Sequence, residues 1–194
     1  MSGADVVLVT KNQNKVRELT PIFEEYDVRF EVSAIEKEEV RSDSVETVAL
    51  HAAMSAYRII HRPLVTEDTG LYISALKGFP RAYPSFVLET IGRQGILKLM
   101  QDARDRSARF VTACAYHDGS TTMVFTGELL GRISHVEAGT GGFGYDPIFV
   151  PEGYDLTLAQ LGFEEKIAIS HRTRAFRALL SWYRKYREGL CSKC

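Results

Sequence analysis

The sequence predicts an α/β protein in which helices flank a mixed β-sheet. In its first half, short β-branched runs alternate with amphipathic helical segments in the order β-α-β-α-β. Two short helical segments follow, and two alternating runs joined by a DGS turn then predict a β-hairpin. Because the hairpin adds antiparallel strands to the parallel ones, we expect a mixed sheet rather than a purely doubly wound one.

The first strand is predicted at VVLVT, Val6 to Thr10, and a helix directly follows it. Pro21 falls within the helical pattern and is expected to kink the helix or shift its start. The apolar residues that recur at helical spacing in this segment are Val16, Leu19, Ile22, Phe23 and Tyr26.

The second strand is predicted at VRFEV, Val28 to Val32, and the second helix at a capping box formed by Asp43 and Glu46. The next apolar run, PLVTEDTGLYI, is interrupted by the acids Glu67 and Asp68. We therefore expect these carboxylates at a strand end or in a tight loop, after which the strand resumes.

In the second half, PSFVLETI and GILKLM predict two short helices, and RFVTACAYH and TTMVFTGELLGRI predict the strands of the hairpin. A last helix is predicted from about Arg174 to Tyr186. Its apolar face consists of Phe176, Leu179, Leu180 and Tyr183.

The charges of the chain nearly cancel, with 24 basic and 25 acidic residues among 194. This balance excludes the chain-wide positive field that binds nucleic acid through its phosphates. The first apolar stretch is too short for a signal peptide or a membrane span. We therefore expect a cytoplasmic protein that binds neither nucleic acid nor a membrane.

Cysteine and histidine positions indicate no metal centre. Cys114 lies in an apolar run, while Cys191 and Cys194 form a terminal C-x-x-C that lacks both a helix start and a second pair. We interpret this pair as part of a frayed tail that begins at about residue 187. The spacing of His51, His61, His117 and His135 is not typical of metal ligands.

Residues Gly139 to Gly153, GTGGFGYDPIFVPEG, contain a G-x-G-x-x-G pattern. In a dinucleotide-binding fold such a loop follows a first parallel strand and opens a helix. Here it follows the predicted hairpin and leads through Pro147 into the extended run IFV, which argues against that interpretation. Two hypotheses stay open: Phe143 stacks on a nucleobase, or Phe143 is buried in a structural turn.

The connection after the first strand, TKNQNK, places Lys11 and Lys15 at the start of a helix. Helix N-termini favour phosphate groups, so this loop is a candidate phosphate site. It lacks the glycines of a Walker loop, which argues against a P-loop nucleotidase. The alternative is an ordinary helix capped by Asn.

Carboxylates occur in two segments, EKEEV with Glu36, Glu38 and Glu39 and TEDTG with Glu67 and Asp68. Carboxylates that meet at a strand end can hold Mg²⁺ together with substrate phosphates. Adjacent acids at the end of an apolar strand are costly unless they bind something, so TEDTG is the stronger candidate. EKEEV by itself is more typical of a solvated charge run.

Near the end of the chain, EEKIAISHRTR places Lys166, His171 and Arg172 about one helical turn apart. Arg172 has the planar fork of donors that suits a carbonyl or a phosphate, and Ser170 is a candidate cap for the last helix. Taken singly, these residues are more typical of a protein surface.

Together, TKNQNK, TEDTG, GGFGYDPIF and EEKxAxSHR closely resemble the inosine triphosphate pyrophosphatase family, from Val6 to about Tyr186. The resemblance implies a single domain over residues 1–194, with two lobes and an active site in the cleft between them. It also implies a cytoplasmic, homodimeric, Mg²⁺-dependent house-cleaning hydrolase that cleaves ITP, dITP and XTP to the monophosphate and pyrophosphate.

The resemblance assigns roles to individual positions. Asp68 is expected to bind Mg²⁺ and to help activate water, Glu39 to be the second metal carboxylate, and Arg172 to lie near the purine 6-oxo group. The expected substrate-binding residues are Thr10, Lys11, Asn12, Gln13, Asn14, Lys15, His51, Thr69, Ser85, Phe143, Gly144, Tyr145, Asp146, Lys166, His171 and Arg172.

Three departures from the family pattern concern the phosphate clamp. Lys11 replaces the usual glycine of T-G-N, Arg81 stands where a glycine is common, and Ser85 stands near a position that is often lysine. Two alternative functions are a related hydrolase of pyrimidine or modified nucleotides and a nucleotide-binding sensor without catalysis. The paired acids, which a sensor need not keep, argue against the second.

Overall fold

A seven-stranded mixed sheet forms the centre of the protein. The structure is a computed structural model that describes residues 3–36, 38 and 40–191. In chain order the elements are β1 (Val6–Val9), α1 (Gln13–Glu25), β2 (Phe30–Ser33), α2 (Val45–Ile60), β3 (Leu64–Ile73), β4 (Pro80–Arg81), α3 (Pro84–Thr90), α4 (Gly92–Leu99), β5 (Ser107–His117), β6 (Thr122–Ile133), β7 (Phe149–Pro151), α5 (Phe163–Ile169) and α6 (His171–Cys191).

The strand order confirms the predicted mixed α/β fold. The sheet runs β2-β1-β3-β5-β6-β7, with β4 paired to β3. β1 is parallel to both β2 and β3, whereas the β5–β6 hairpin is antiparallel to β3. The parallel half therefore comes from the β-α-β-α-β segment and the antiparallel half from the hairpin. The division into two lobes with a cleft between them stays a prediction.

Helices cover both faces of the sheet, which the alternation along β1 shows directly. Val6 and Leu8 pack in one hydrophobic cluster with α1 and α6, while Val7 and Val9 pack in another with α2. Successive side chains of a strand point to opposite faces, so both faces of β1 are buried. A third cluster lies among α3, α4 and the ends of β3, β5 and β6 that face them.

Three local predictions differ from the structure. The cap of α2 is Ser44, whose hydroxyl accepts from the Thr47 amide at 3.2 Å, and not Asp43, which pairs with Arg81 instead. Pro21 lies inside α1 and does not shift its start. The last helix begins at His171, three residues before the predicted start, and continues to Cys191. Residue 194, the second cysteine of the terminal pair, lies outside the described residues.

The predicted interruption at TEDTG is wrong, because Glu67 and Asp68 lie in the middle of the continuous ten-residue strand β3. β5 pairs with β3 along its whole length. On the other edge, β1 pairs only with Leu64 and Val65, and β4 only with Leu71 and Tyr72. Within the described chain no strand covers residues 66–70 on that edge, so the two acids lie where the sheet is open.

Candidate active site

A cavity of about 490 Å³ lies against the open edge of β3. Its walls come from the start of α1, from β3, from the segment around α3, from the glycine loop before β7, and from α5 and α6. The predicted site residues that line it are Asn12, Lys15, Asp68, Thr69, Ser85, Phe143, Gly144, Tyr145, Asp146, Lys166, His171 and Arg172.

The N-terminus of α1 faces this cavity because β1, which leads into α1, ends beside the open stretch of β3. Asn12 caps the helix, and its side chain accepts from the amides of Asn14 and Lys15 at 3.0 and 3.4 Å. Thr10 supports the turn by accepting from the Asn12 amide at 3.1 Å. The positive end of the helix and the Lys15 ammonium thus point toward the same space.

The acids of β3 lie on opposite faces of the strand. Thr69 donates to the Glu67 carboxylate at 3.3 Å, so these two side chains share a face, and Asp68 lies on the other. Glu67 is buried and forms ion pairs with Lys15 and Arg172. Asp68 is half-buried and lines the cavity. Both carboxylates line the cavity, but they differ in role: Glu67 binds cations of the protein, whereas Asp68 is the more exposed of the two.

A buried ionic network forms the wall between α1 and α6. Glu18 accepts from Lys166 at 2.5 Å through one carboxylate oxygen and from Arg172 at 2.5 Å through the other. Lys166 also donates to Asp146 at 2.6 Å, and Arg172 approaches Glu67 at 3.4 Å. Each of these side chains is buried, so the pairs avoid the cost of isolated charges in the interior.

The positive partners of the network project along the cavity wall. Lys166 lies 4.8 Å from the centroid of the Phe143 ring, and the guanidinium carbon of Arg172 lies 5.5 Å from it. These distances are those of cation–π contacts. Phe143 is half-buried and lines the cavity, so the ring is held by the two cations while part of it stays exposed to the cavity.

The glycine loop is fixed by hydrogen bonds of Phe143 and Tyr145. The Asp146 carboxylate accepts from the Phe143 amide at 2.7 Å, and a side chain at Gly142, which has φ +68°, would collide with that carboxylate. Tyr145 is buried and donates from its hydroxyl to the Pro84 carbonyl at 2.8 Å. Phe143 is therefore the aromatic residue of the loop that is available to a ligand, while Tyr145 joins the loop to α3.

A hydrogen-bond chain of neutral side chains connects α6 to β3. His171 Nδ1 lies 2.6 Å from the Thr112 hydroxyl, which lies 2.6 Å from the Thr69 hydroxyl. The His171 ring also stacks on Phe110 at 4.8 Å. Burial, together with the nearby Arg172 charge, holds the pKa of His171 well below its usual value. His171 is therefore neutral at physiological pH.

A close approach of α6 to β6 makes this placement possible. A side chain at Gly127 would collide with the backbone of His171 and Ala175. The absence of a side chain lets the first turn of α6 lie directly on the sheet. Ser170 accepts from the Arg172 amide at 3.1 Å, which confirms it as the cap of this helix.

Several predicted site residues do not line the cavity. Lys11 is exposed and lies 3.8 Å from Glu36, and Gln13 is exposed. His51 lies 3.4 Å from the Glu38 carbonyl. Thr10 supports the α1 turn, Asn14 lines a smaller neighbouring cavity, and Glu39 lies outside the described residues.

Glu18 and Thr112 are the site residues that sequence reasoning missed. Glu18 lies one helical turn after Lys15 and beside the apolar stripe of α1, at a position where a charge is uncommon without a partner. The helical pattern of α1 therefore contained a signal for Glu18. The sequence contained no such signal for Thr112, since a threonine within a strand is ordinary.

The donor set determines which metal the cavity suits. Among the described residues, no group of three His, Cys, Asp or Glu side chains could hold a metal ion. Mg²⁺ needs only one or two carboxylates when substrate phosphates and waters supply the other ligands. Glu67 is engaged by Lys15 and Arg172, so Asp68 is the carboxylate of β3 whose position suits such an ion.

None of the helices in the described part of the chain has the length and apolarity of a membrane span.

The chain is similar to known proteins along nearly its whole length. The chain is 42% identical over 186 residues to a dITP/XTP pyrophosphatase of Saccharolobus solfataricus, covering 96% of this chain and 97% of that protein. It is also 42% identical over 180 residues to a dITP/XTP pyrophosphatase of Methanopyrus kandleri, covering 92% and 96%. The solved structure of a HAM1 protein from Coxiella burnetii superposes with a TM-score of 0.85 at 26% identity, covering 94% of this chain and all of that one. The model of the Ham1 family matches residues 6–182, and the chain belongs to this family.

Proposed function

We propose that the protein is a Mg²⁺-dependent pyrophosphohydrolase of nonstandard purine nucleoside triphosphates, with ITP, dITP and XTP as substrates. The observation that supports this most is the shared cavity, which joins the N-terminus of α1 and Asp68 to Phe143, His171 and Arg172. The N-terminus of α1 and Asp68 suit a polyphosphate with its metal ion, and the other three residues suit a base. The relatives that are named dITP/XTP pyrophosphatases support the same conclusion.

The phosphate end of the cavity supplies positive charge from several sources. A nucleoside triphosphate carries about four negative charges, which must be neutralised for attack on phosphorus. Lys15 and the positive end of α1 lie at this end. Asp68, with Glu39 as a second carboxylate, would hold Mg²⁺, which would neutralise phosphate oxygens as a Lewis acid.

In the proposed reaction Asp68 orients a water and accepts its proton. The water oxygen attacks the α-phosphorus, and the bond from that phosphorus to the oxygen that bridges it to the β-phosphorus breaks. The products are the nucleoside monophosphate and pyrophosphate, and the water oxygen stays on the monophosphate. Lys15 stabilises the charge that develops on the departing pyrophosphate.

The base end offers donors rather than acceptors at the position of the purine 6-substituent. Arg172 is buried and held by Glu18 and Glu67, so its guanidinium has a fixed orientation. Hypoxanthine and xanthine present an oxygen there, which accepts, whereas adenine presents an amino group, which donates. A site that leaves buried donors unpaired rejects the mismatched ligand by a factor that reaches about 10⁴.

Two further properties belong to the same proposal. The family resemblance implies a homodimer, which sedimentation of the purified protein would test. It also implies a cytoplasmic location. The near-neutral net charge of −1 agrees with a small-molecule substrate rather than a nucleic acid.

The decisive experiment is a substrate panel with ITP, dITP, XTP, ATP, GTP and dUTP, each with Mg²⁺ and with excess EDTA. The proposal expects monophosphate and pyrophosphate from the first three in Mg²⁺, and little turnover in EDTA. Release of orthophosphate, or turnover of ATP equal to that of ITP, would overturn it. Preference for a pyrimidine would assign the protein to a related hydrolase, and tight ITP binding without turnover would make it a sensor.

A further inference from the structure

The hydrogen-bond chain between His171 and β3 has one arrangement of protons that satisfies every contact. The Glu67 carboxylate can only accept, and the Arg172 guanidinium can only donate. Thr69 accepts from Arg172 at 3.4 Å and gives its single proton to Glu67 at 3.3 Å. Thr112 must then donate to Thr69, since the Thr69 proton is already used.

This direction determines the state of the imidazole. Because Thr112 gives its proton to Thr69, it can only accept from His171, so Nδ1 of His171 carries the proton. His171 is neutral in its buried position, so the other ring nitrogen, Nε2, has a lone pair and no hydrogen. Within the described chain Nε2 makes no hydrogen bond, and His171 lines the cavity.

We propose that Thr112 is a positioning residue for base recognition: it fixes His171 as the tautomer whose Nε2 accepts a hydrogen bond from a purine N1–H. This inference rests on the proposed function of the same cavity. Hypoxanthine, xanthine and guanine carry a hydrogen on N1, next to the 6-oxo group, whereas N1 of adenine is an acceptor. Adjacent residues, His171 as acceptor and Arg172 as donor, thus match adjacent atoms of a 6-oxopurine.

The site would therefore discriminate between bases at two adjacent atoms, N1 and the 6-substituent. Adenine would place its N1 lone pair against the Nε2 lone pair and its amino group against the Arg172 donors. The opposite tautomer, with hydrogen on Nε2, would lose the first of these discriminations. Thr112 therefore affects selectivity without itself contacting the base. Guanine has the same N1–H and 6-oxo group as hypoxanthine, so its exclusion must depend on the 2-amino group.

The tautomer can be measured without any substrate. Nitrogen NMR of the imidazole in the ligand-free protein distinguishes a protonated Nδ1 from a protonated Nε2. We expect wild-type His171 as the Nδ1–H form, Thr112→Ser unchanged, and Thr112→Val shifted toward the Nε2–H form. A wild-type His171 protonated on Nε2 would overturn the proposal, whether or not the protein hydrolyses ITP. This measurement needs no variant, so it stands even if Thr112→Val does not fold.

Turnover then tests the link to recognition. ITP and N1-methyl-ITP, which lacks the N1 hydrogen, are compared in wild type, Thr112→Ser and Thr112→Val by kcat/KM. The N1 methyl group should lower kcat/KM by a factor that is about tenfold larger in wild type and Thr112→Ser than in Thr112→Val. This difference is the size of one lost hydrogen bond. An equal penalty in all three proteins would overturn the role of Thr112. Absence of ITP turnover in wild type would instead contradict the proposed function and leave the tautomer measurement valid.

Discussion

Two polar clusters, each centred on a carboxylate, obtain their partners in opposite ways. The first is the ionic network around Glu18 at the cavity wall. The second, which we call the hairpin-tip cluster, surrounds Asp118 at the turn between β5 and β6. Asp118 accepts from the amides of Ser120 and Thr121 at 2.9 and 2.8 Å, and from the hydroxyls of Tyr116 and Tyr186 at 3.0 and 2.8 Å.

The clusters differ in how far their partners lie apart along the chain. Asp118 obtains most of its partners within three residues, and they are neutral donors. Glu18 pairs with Lys166 and Arg172, which lie 148 and 154 positions away. The local cluster closes the turn between β5 and β6. The distant charges meet only around a space, which indicates that function rather than stability explains them.

The largest expected effect is a loss of ITP turnover from a change at Asp68, which belongs to neither cluster. Asp68→Asn keeps the size of the side chain but removes the base and the metal-binding charge. We expect ITP turnover to fall by about 10²–10⁴-fold, with little change in Tm. Glu89→Gln, at an exposed carboxylate of the same cavity, is the matched control and should keep its rate. Full turnover in Asp68→Asn would remove Asp68 from its proposed role.

The next effect tests the cavity network itself. Glu18→Gln leaves Lys166 and Arg172 with only Asp146 and Glu67 as charged partners in the interior. We expect a loss of about 3–5 kcal/mol in the free energy of unfolding, measured with urea, and a higher KM for ITP. The control is Glu25→Gln on the same helix, whose pair with Arg177 at 2.8 Å is exposed and worth at most about 1 kcal/mol. Equal losses in the two variants would contradict the importance of burial.

A smaller effect is expected at the hairpin tip. Burial raises the pKa of Asp118, but the amide and hydroxyl donors outweigh it and lower the pKa from 3.8 to about 2. A depressed pKa stabilises the folded state above the unfolded value, and this stabilisation is lost as the pH falls through the folded value. Asp118→Asn should therefore cost about 1 kcal/mol at neutral pH, after allowance for solvent screening, and keep full activity.

The pH dependence supplies the check on that variant. The difference in unfolding free energy between wild type and Asp118→Asn should shrink as the pH is lowered from about 4 to 2, because Asn does not titrate. A difference that stays constant over this range would mean that the charge of Asp118 contributes nothing to the turn.

Effects of similarly small size are expected from two tyrosine hydroxyls whose hydrogen bonds have equal lengths. Tyr145 donates to Pro84 beside the cavity at 2.8 Å, and Tyr186 donates to Asp118 at 2.8 Å. Each change to Phe should cost about 1 kcal/mol. For Tyr145→Phe we expect a severalfold higher KM, since the glycine loop loses its link to α3, and for Tyr186→Phe only a lower Tm. A raised KM in both variants would remove the distinction between the clusters.

Elements with local signals were predicted well from the sequence. The order of strands and helices, the hairpin and the cap at Ser170 follow from periodicity and turn residues, and the structure confirms them. The motifs also indicated the segments that line the cavity. The error at TEDTG arose because two adjacent acids are typical of a loop, whereas here they lie in a strand whose edge is open.

Within the site, the sequence identified residue types but not their partners. The family resemblance assigned Asp146 and Tyr145 to substrate binding, which stays a prediction; the structure adds that both residues support the glycine loop. The sequence did not indicate Glu18 as the centre of the network. Such partnerships depend on how the helices pack against the sheet, which no local pattern encodes.

By itself the sequence determined the α/β fold and the motifs that place the chain in its family, because periodicity, turn chemistry and motif spacing act over short stretches of chain. Tertiary structure alone decided which edge of β3 is open, which carboxylate of β3 pairs with the cations of the protein, and which nitrogen of His171 carries the proton. Those properties arise where segments about 100 or more positions apart meet, such as Thr69 with Arg172, and the direction of each hydrogen bond depends on all the others in its chain.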